Sequence, residues 1–159
     1  MELTQIASYT FLPLFAGTIG DLTGGWFSDI VLRRTGNVNL ARRWVAIAGF
    51  VLAAAATIPA VFASDPKVSI ACYCVAFFGI EWTVGISWAV PLDIGGDFAG
   101  SVSAFMNMFG NFGGAISATV VAYTAKHYGW NVPFLITAGL CLIAAALYLK
   151  IDASQRIFA

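Results

Sequence analysis

The sequence predicts an all-α protein, a polytopic bundle of helices that crosses a membrane five times. Hydrophobic residues make up 60% of the 159-residue chain, charged residues only 10%, and the mean hydropathy is +0.84. Soluble domains carry about 25% charged residues. Such a composition leaves too few charges to cover the surface of a soluble protein, so the chain belongs in a lipid bilayer.

Five apolar segments are long enough to span a membrane, since a spanning helix needs about 20 mostly apolar residues. The segments are 6–28, 44–63, 68–91, 98–125 and 132–150. Arginines follow the first segment, and Asp-Pro or Gly-Gly sequences and a Tyr-Gly-Trp sequence separate the later ones. No linker or low-complexity tract interrupts the chain. We therefore interpret residues 1–159 as one transmembrane unit.

The positive charges predict the orientation of the bundle, because Lys and Arg concentrate in cytoplasmic loops. Six of the eight fall on one predicted side: Arg33, Arg34, Arg42, Arg43, Lys150 and Arg156. Only Lys67 and Lys126 fall on the other. We expect the arginine-rich hairpin and the C-terminus to be cytoplasmic, in an inner (plasma) membrane. An odd number of spans that begins outside fits a fragment better than a complete protein.

Several classes of function are disfavoured. A net charge of zero argues against a nucleic-acid partner. The cysteines lie inside apolar segments without a CxxC pair, which favours small hydrophobic residues over a metal or disulfide set. We expect no cofactor, no metal and no catalytic residue. His127 lies beside Tyr128 and Trp130, which is typical of an interfacial aromatic cluster.

Two strings carry a resemblance to a known family. The pattern Gly25-x-x-x-Asp29-x-x-x-Arg33-Arg34 resembles the loop signature of the major facilitator superfamily. The fuller string from Gly24 to Arg34 is similar to the loop between helices 8 and 9 of the anion:cation symporter family. The stretch 93–114, which contains Asn-Met-Phe-Gly-Asn-Phe-Gly-Gly, resembles helix 11 of that family.

The resemblance implies that the five segments are helices 8 to 12, from the C-terminal half of a major facilitator fold. It also implies a transporter, with proton-coupled secondary transport of an organic or sugar-acid anion by alternating access. The implied partners are a small organic anion, protons or another coupling cation, the bilayer and the missing N-terminal helices of the same transporter.

The resemblance further implies a gate-loop role for Gly25, Asp29, Arg33 and Arg34. Asp29 would meet the negative end of its own helix dipole, so its charge needs compensation. That compensation would come from Arg33, Arg34 or the N-terminus of a neighbouring helix. Ile30 stands where many members carry a basic residue, so we expect any local salt bridge to use Arg33 or Arg34. The alternative is that these arginines only set topology and that Asp29 caps a loop.

Polar residues inside the apolar segments are the candidates for the substrate cavity. Asn107 and Asn111 lie on a helical stripe of small residues, in which Gly110-x-x-x-Gly114 would permit a close helix contact. An unpaired amide in hydrocarbon costs several kcal/mol, so both asparagines should face protein or water. Asn107 either contacts substrate or bonds another helix, and Asn111 is more typical of a structural residue.

Acidic residues within the predicted spans form the second group of candidates. Glu81 is near the centre of its segment with Trp88 on the same helical face, and burying its charge would cost about 3 kcal/mol. It could carry a proton or contact substrate, or be a paired glutamate between helices. Asp21 is flanked by glycines that would let a neighbouring backbone approach, so it could line the cavity or bond another helix. No Lys or Arg lies deep in any span, so the main partner of an anionic substrate must come from the missing helices.

Two other classes compete with a transporter. A membrane enzyme such as a head-group transferase would need a cluster of acids or histidines, and Asp93 with Asp97 is the only close acidic pair on the predicted cytoplasmic side. A stand-alone five-helix protein could instead act as a membrane assembly or regulatory subunit.

Overall fold

The structure, a computed structural model, describes residues 3–157 and contains five α-helices within that range. They are α1 (Leu3–Thr35), α2 (Val45–Phe62), α3 (Pro66–Gly95), α4 (Ala99–Tyr128) and α5 (Asn131–Tyr148). A single π-helical turn, Leu40–Trp44, precedes α2, and a short 3₁₀ turn, Gly96–Phe98, joins α3 to α4.

Each helix coincides with one predicted apolar segment, with two differences at the ends. Helix α1 continues to Thr35, so the Gly25–Arg34 pattern is helical and the loop begins only at Gly36, whose φ is 65°. Helix α3 continues past Pro91 to Gly95 instead of ending at the proline. Neighbouring helices can satisfy the backbone groups that a proline frees inside a membrane helix.

Among the described residues, three helical stretches are long and apolar enough to cross a membrane: Leu40–Phe62, Pro66–Tyr128 and Asn131–Tyr148. The 63-residue stretch comprises α3 and α4 together with the turn between them. Helix α1 is not among the three, since glycines, threonines and two aspartates dilute its apolar residues. The all-helical membrane architecture is confirmed, and the number of five spans remains a prediction.

Helix α3 is the centre of the bundle, with α1, α2 and α4 packed around it, while α5 packs mainly on α2. Glycines set the closest approaches. A methyl group added at Gly24 would overlap the carbonyl oxygen of Trp82, and one at Gly20 would overlap that of Phe78. On the other side of α3, a methyl group at Gly79 would lie 2.8 Å from the Gly49 carbonyl oxygen. The predicted close packing beside Asp21 is therefore confirmed.

Small side chains fill the contact between α2 and its neighbours. Ala53 and Ala54 of α2 pack with Ala138 and Cys141 of α5, and all four are buried. Helices in a bilayer gain little hydrophobic energy by associating, so close packing of small residues supplies much of the attraction.

Helix α4 lies at the periphery of the described chain, and none of its residues is buried there. A methyl group added at Gly110 or Gly114 would meet nothing within 4 Å. The described residues therefore show no close helix contact at this pair, although Gly110 lines an open cleft between α3, α4 and α5.

Candidate functional site

A buried arginine joins three helices at one end of the bundle. The side chain of Arg42 is 7% exposed, and its Nη1 donates at 2.8 Å to Oδ1 of Asp29 on α1. Its Nε donates at 2.8 Å to Oδ2 of Asp93 on α3. Nη1 also donates at 2.8 Å to Oγ of Ser28, which itself donates to the Ala41 carbonyl oxygen at 2.9 Å. The planar guanidinium suits this arrangement because its donors point toward several acceptors at once.

The π-helical turn Leu40–Trp44 separates the roles of two adjacent arginines. Arg42 points into the bundle, whereas the Nε of Arg43 donates at 2.7 Å to the carbonyl oxygen of Ile151, beyond α5. Single π-helical turns occur often at functional sites. Through Arg42, the turn is therefore bonded to α1 and α3. Through Arg43, it is bonded to the C-terminal segment.

The expectation that Asp29 forms a salt bridge with Arg33 or Arg34 is wrong. Asp29 pairs with Arg42, while Arg33 and Arg34 are exposed and take part in no ion pair within the described residues. Both arginines lie one turn beyond Asp29 in the last turn of α1, where they complement the negative end of the helix dipole. Gly25, the first residue of the pattern, is also inside α1, and a methyl group there would lie 3.8 Å from Cα of Gly85.

The C-terminal segment returns to the same end of the bundle. Nδ2 of Asn39 donates to Oδ1 of Asp152 at 2.7 Å, and the backbone N–H of Ala153 donates to Oδ1 of Asn39 at 2.9 Å. Hydrogen bonds from Ser154 and Asn39 lower the pKa of Asp152 to about 2. The arginine-rich hairpin and residues 152–154 thus share one side, as predicted.

Trp88 and Asn107 line one cleft of about 610 Å³ between α3, α4 and α5. Ser87 and Tyr148 line the same cleft, and their hydroxyl oxygens are 2.8 Å apart. Nδ2 of Asn111 donates to the backbone carbonyl oxygen of Asn107 at 2.8 Å and lies 3.3 Å from its Oδ1. The two asparagines are therefore hydrogen-bonded to each other on α4. Asn107 lines the cleft, and Asn111 is one turn further along the helix.

Glu81 and Asp21 line a second, more polar cleft of about 300 Å³ between α1 and α3. Gly17 lies one turn before Asp21 on α1, and a methyl group added there would lie 3.0 Å from Cγ of Glu81. The predicted association of Glu81 with Trp88 does not extend to a shared cleft, because the two residues fall on different sides of α3. The structure thus divides the predicted cavity residues into a carboxylate pair and an amide–indole pair.

His127 is exposed, and its Nδ1 lies 2.9 Å from the carbonyl oxygen of Tyr123. Its ring stacks on that of Tyr123 with centroids 4.3 Å apart and lies 6.4 Å from that of Tyr128. In the part of the chain that the structure describes, no group of three or more His, Cys, Asp or Glu side chains could hold a metal ion.

Sequence reasoning missed the central role of Arg42 and Asp93. From the charge pattern, Arg42 is one of the residues that set topology, and Asp93 is one member of the acidic pair with Asp97. Asp97 is exposed and does not join Asp93 in a site. One signal could have revealed this network. Arg42 begins one helix of the bundle, and Asp29 and Asp93 lie near the ends of two others.

The family model described as the Major Facilitator Superfamily matches residues 1–158. The chain belongs to this superfamily. Members of this superfamily are transporters and not enzymes. The resemblance of the two sequence strings is thereby confirmed at the level of the superfamily.

Several curated relatives of this chain are named as transporters of organic acids. A probable sulfoacetate transporter of Cupriavidus necator is 35% identical over 152 residues, which cover 95% of this chain and 35% of that protein. A probable galactarate/D-glucarate transporter of Escherichia coli is 30% identical over 94% of this chain and 33% of its own length. A D-galactonate transporter of Escherichia coli is 28% identical over 88% of this chain and 32% of its own length. The chain thus spans about a third of these relatives.

Proposed function

We propose that this chain supplies helices 8 to 12 of a major facilitator transporter that carries a small organic anion across the inner membrane. The main support is that Trp88 and Asn107, from different helices, line one open cleft between α3, α4 and α5. Sulfoacetate, aldarates and aldonates are the substrate classes that we favour, because they appear in the names of the relatives.

The cleft offers neutral hydrogen-bonding groups. The amide of Asn107 can donate to a carboxylate or sulfonate oxygen and accept from a hydroxyl group, and the indole N–H of Trp88 can donate. No cationic side chain lines the cleft among the described residues. In our proposal, the remaining helices of the transporter provide the positive partner of the anion, and alternating access follows from rocking of two halves about this site.

Uptake of radiolabelled sulfoacetate, galactarate and galactonate by cells that express the full-length protein tests this function. Asn107→Ala should lower kcat/KM for the transported acid about tenfold, the effect of one or two hydrogen bonds. Asn131→Ala, which changes an exposed amide at the start of α5, is the matched control. Uptake of none of the three acids would contradict the proposed substrate class, and an Asn107→Ala variant with unchanged uptake would contradict the proposed site.

We propose that the Asp21–Glu81 cleft carries the coupling proton. Asp21 and Glu81 line the same small cleft, and a carboxyl group can both accept and release a proton. Glu81→Gln should abolish accumulation driven by a pH gradient while it preserves exchange of labelled for unlabelled substrate. Accumulation that remains proportional to the pH gradient in this variant would exclude Glu81 as the carrier.

We propose that the Arg42 end of the bundle is cytoplasmic and belongs to the gate. Asp29, Arg42 and Asp93 would hold α1, α2 and α3 as one rigid body that can close against the other half of the transporter. A cysteine that replaces exposed Gln155, in a background without native cysteines, should react with impermeant maleimide only after the membrane is opened. Labelling of intact cells would place this end outside.

A further inference from the structure

An apolar groove of about 450 Å³ lies between α1, α2 and α3 at the Arg42 end of the bundle. Its wall on α2 runs from Leu40 through Trp44 and Ala48 to Leu52, and Phe27 and Val31 contribute from α1. None of the lining side chains is charged. Trp44 is 53% exposed in the described chain, which suits an indole ring at a membrane interface.

The length of this groove matches one leaflet of a bilayer. From Leu40 to Leu52 the chain rises about 18 Å at 1.5 Å per residue. Half of a hydrocarbon core is about 15 Å. A single acyl chain would therefore fit along it, with its head group at the level of the hairpin.

The open end of the groove carries positive charge that no ion pair among the described residues neutralises. Phe27, Val31 and Arg34 follow one another on α1 at spacings of four and three residues, so they share one helical face. Arg34 thus extends the groove face of α1 by one turn, and Arg33 is next to it. The nearest acid along the helix, Asp29, is already paired with Arg42.

We propose that this groove binds an anionic glycerophospholipid. One acyl chain lies along the apolar wall of α2, and the phosphate group contacts Arg34 with the help of Arg33. Basic pockets between membrane helices are suited to anionic head groups because the local positive potential adds to the attraction of the apolar surface. A helix of another protein would fill an apolar groove equally well, but it would leave the two arginines without a partner.

Native mass spectrometry of the full-length protein tests the site, with phosphatidylglycerol and phosphatidylcholine as the two lipid probes. The double variant Arg33→Gln/Arg34→Gln should weaken retention of phosphatidylglycerol, about fivefold for each arginine that contacts the phosphate. Retention of phosphatidylcholine should not change. Lys150→Gln/Arg156→Gln removes two exposed positive charges from the same end of the bundle and is the control.

A second pair of variants tests the apolar wall. Ala48→Phe should block the groove and displace phosphatidylglycerol, whereas Ala55→Phe makes the same change at an exposed position of α2 outside it. A photoreactive side chain at position 48 should yield a lipid adduct. The proposal would be overturned if test and control variants lost phosphatidylglycerol equally, or if neither test variant lost it. An adduct with protein instead of lipid would also overturn it.

Discussion

Replacing Arg42 by glutamine should destabilise the protein more than any other single change of charge in the described chain. The substitution leaves Asp29 and Asp93 facing one another without a cation. Removing one partner of a fully buried ion pair costs about 3–5 kcal/mol. The side chains of Asp93 and Asp29 are 27% and 52% exposed, so water recovers part of that loss. We therefore expect the low end of the range, about 3 kcal/mol.

The two carboxylates should differ in the same experiment. Asp93→Asn should cost about 2 kcal/mol, because it weakens a charge-assisted hydrogen bond in the less exposed half of the network. Asp29→Asn should cost about 1 kcal/mol, since its carboxylate is half solvated. Arg33→Gln is the control and should have an effect within about 0.5 kcal/mol, as for other exposed positions without an ion pair.

The assay is thermal unfolding of the purified full-length protein in detergent, followed by tryptophan fluorescence. In a protein about three times as long as this chain, a loss of 1 kcal/mol lowers Tm by about 1 °C, so Arg42→Gln should lower it by roughly 3 °C. Arg42→Lys should recover only part of this, because an ammonium group cannot reproduce the fork of donors. A Tm for Arg42→Gln equal to that of Arg33→Gln would refute the reasoning, as would a larger effect at Asp29 than at Asp93.

Further predictions concern helix packing and the C-terminal segment. Gly24→Ala should prevent normal packing of α1 on α3, because the new methyl group would overlap the carbonyl oxygen of Trp82, whereas Gly113→Ala, with open space around it, should be neutral or stabilising in the same thermal assay. The docking of residues 150–157 should depend on pH through Asp152. The pKa of Asp152 is about 2 in the folded protein and about 3.9 in a free aspartate. The stabilisation is therefore present above pH 4 and is lost as the pH falls toward 2. Cleavage after Lys150 by an acid-tolerant lysine-specific protease should therefore accelerate below pH 4, and in Asp152→Asn it should already be fast at neutral pH; a slow, unchanged rate in that variant would show that Asp152 does not hold the segment.

The helices themselves could be predicted from local sequence. Apolar segments of spanning length, with breakers between them, predict five helices whose cores agree with the structure. The errors lie at ends that local pattern does not fix. Pro91 predicts a helix end, but in the bundle α3 continues four residues further because neighbouring helices accommodate the proline.

The site was predicted only in part, because partner choice depends on how helices rotate about their axes. Asn107 and Trp88 do share a cleft, yet Glu81, seven residues before Trp88, lines a different one. Proximity in sequence favours Arg33 or Arg34 as the ion-pair partner of Asp29. Helix α1 continues through those arginines, which are exposed in its last turn. The buried arginine beside Asp29 is therefore Arg42.

By itself, the sequence determined that the chain is a helical membrane protein, that its arginine-rich hairpin and its last residues share one side, and that it resembles the major facilitator superfamily. These properties follow from composition, segment length and short strings, which act locally along the chain. Only the tertiary structure decided that Arg42 bridges Asp29 and Asp93, and that two separate clefts contain the polar residues. The reason is geometric: glycine contacts and one π-helical turn set the spacing and rotation of the helices, and small changes in either give each polar side chain a different partner.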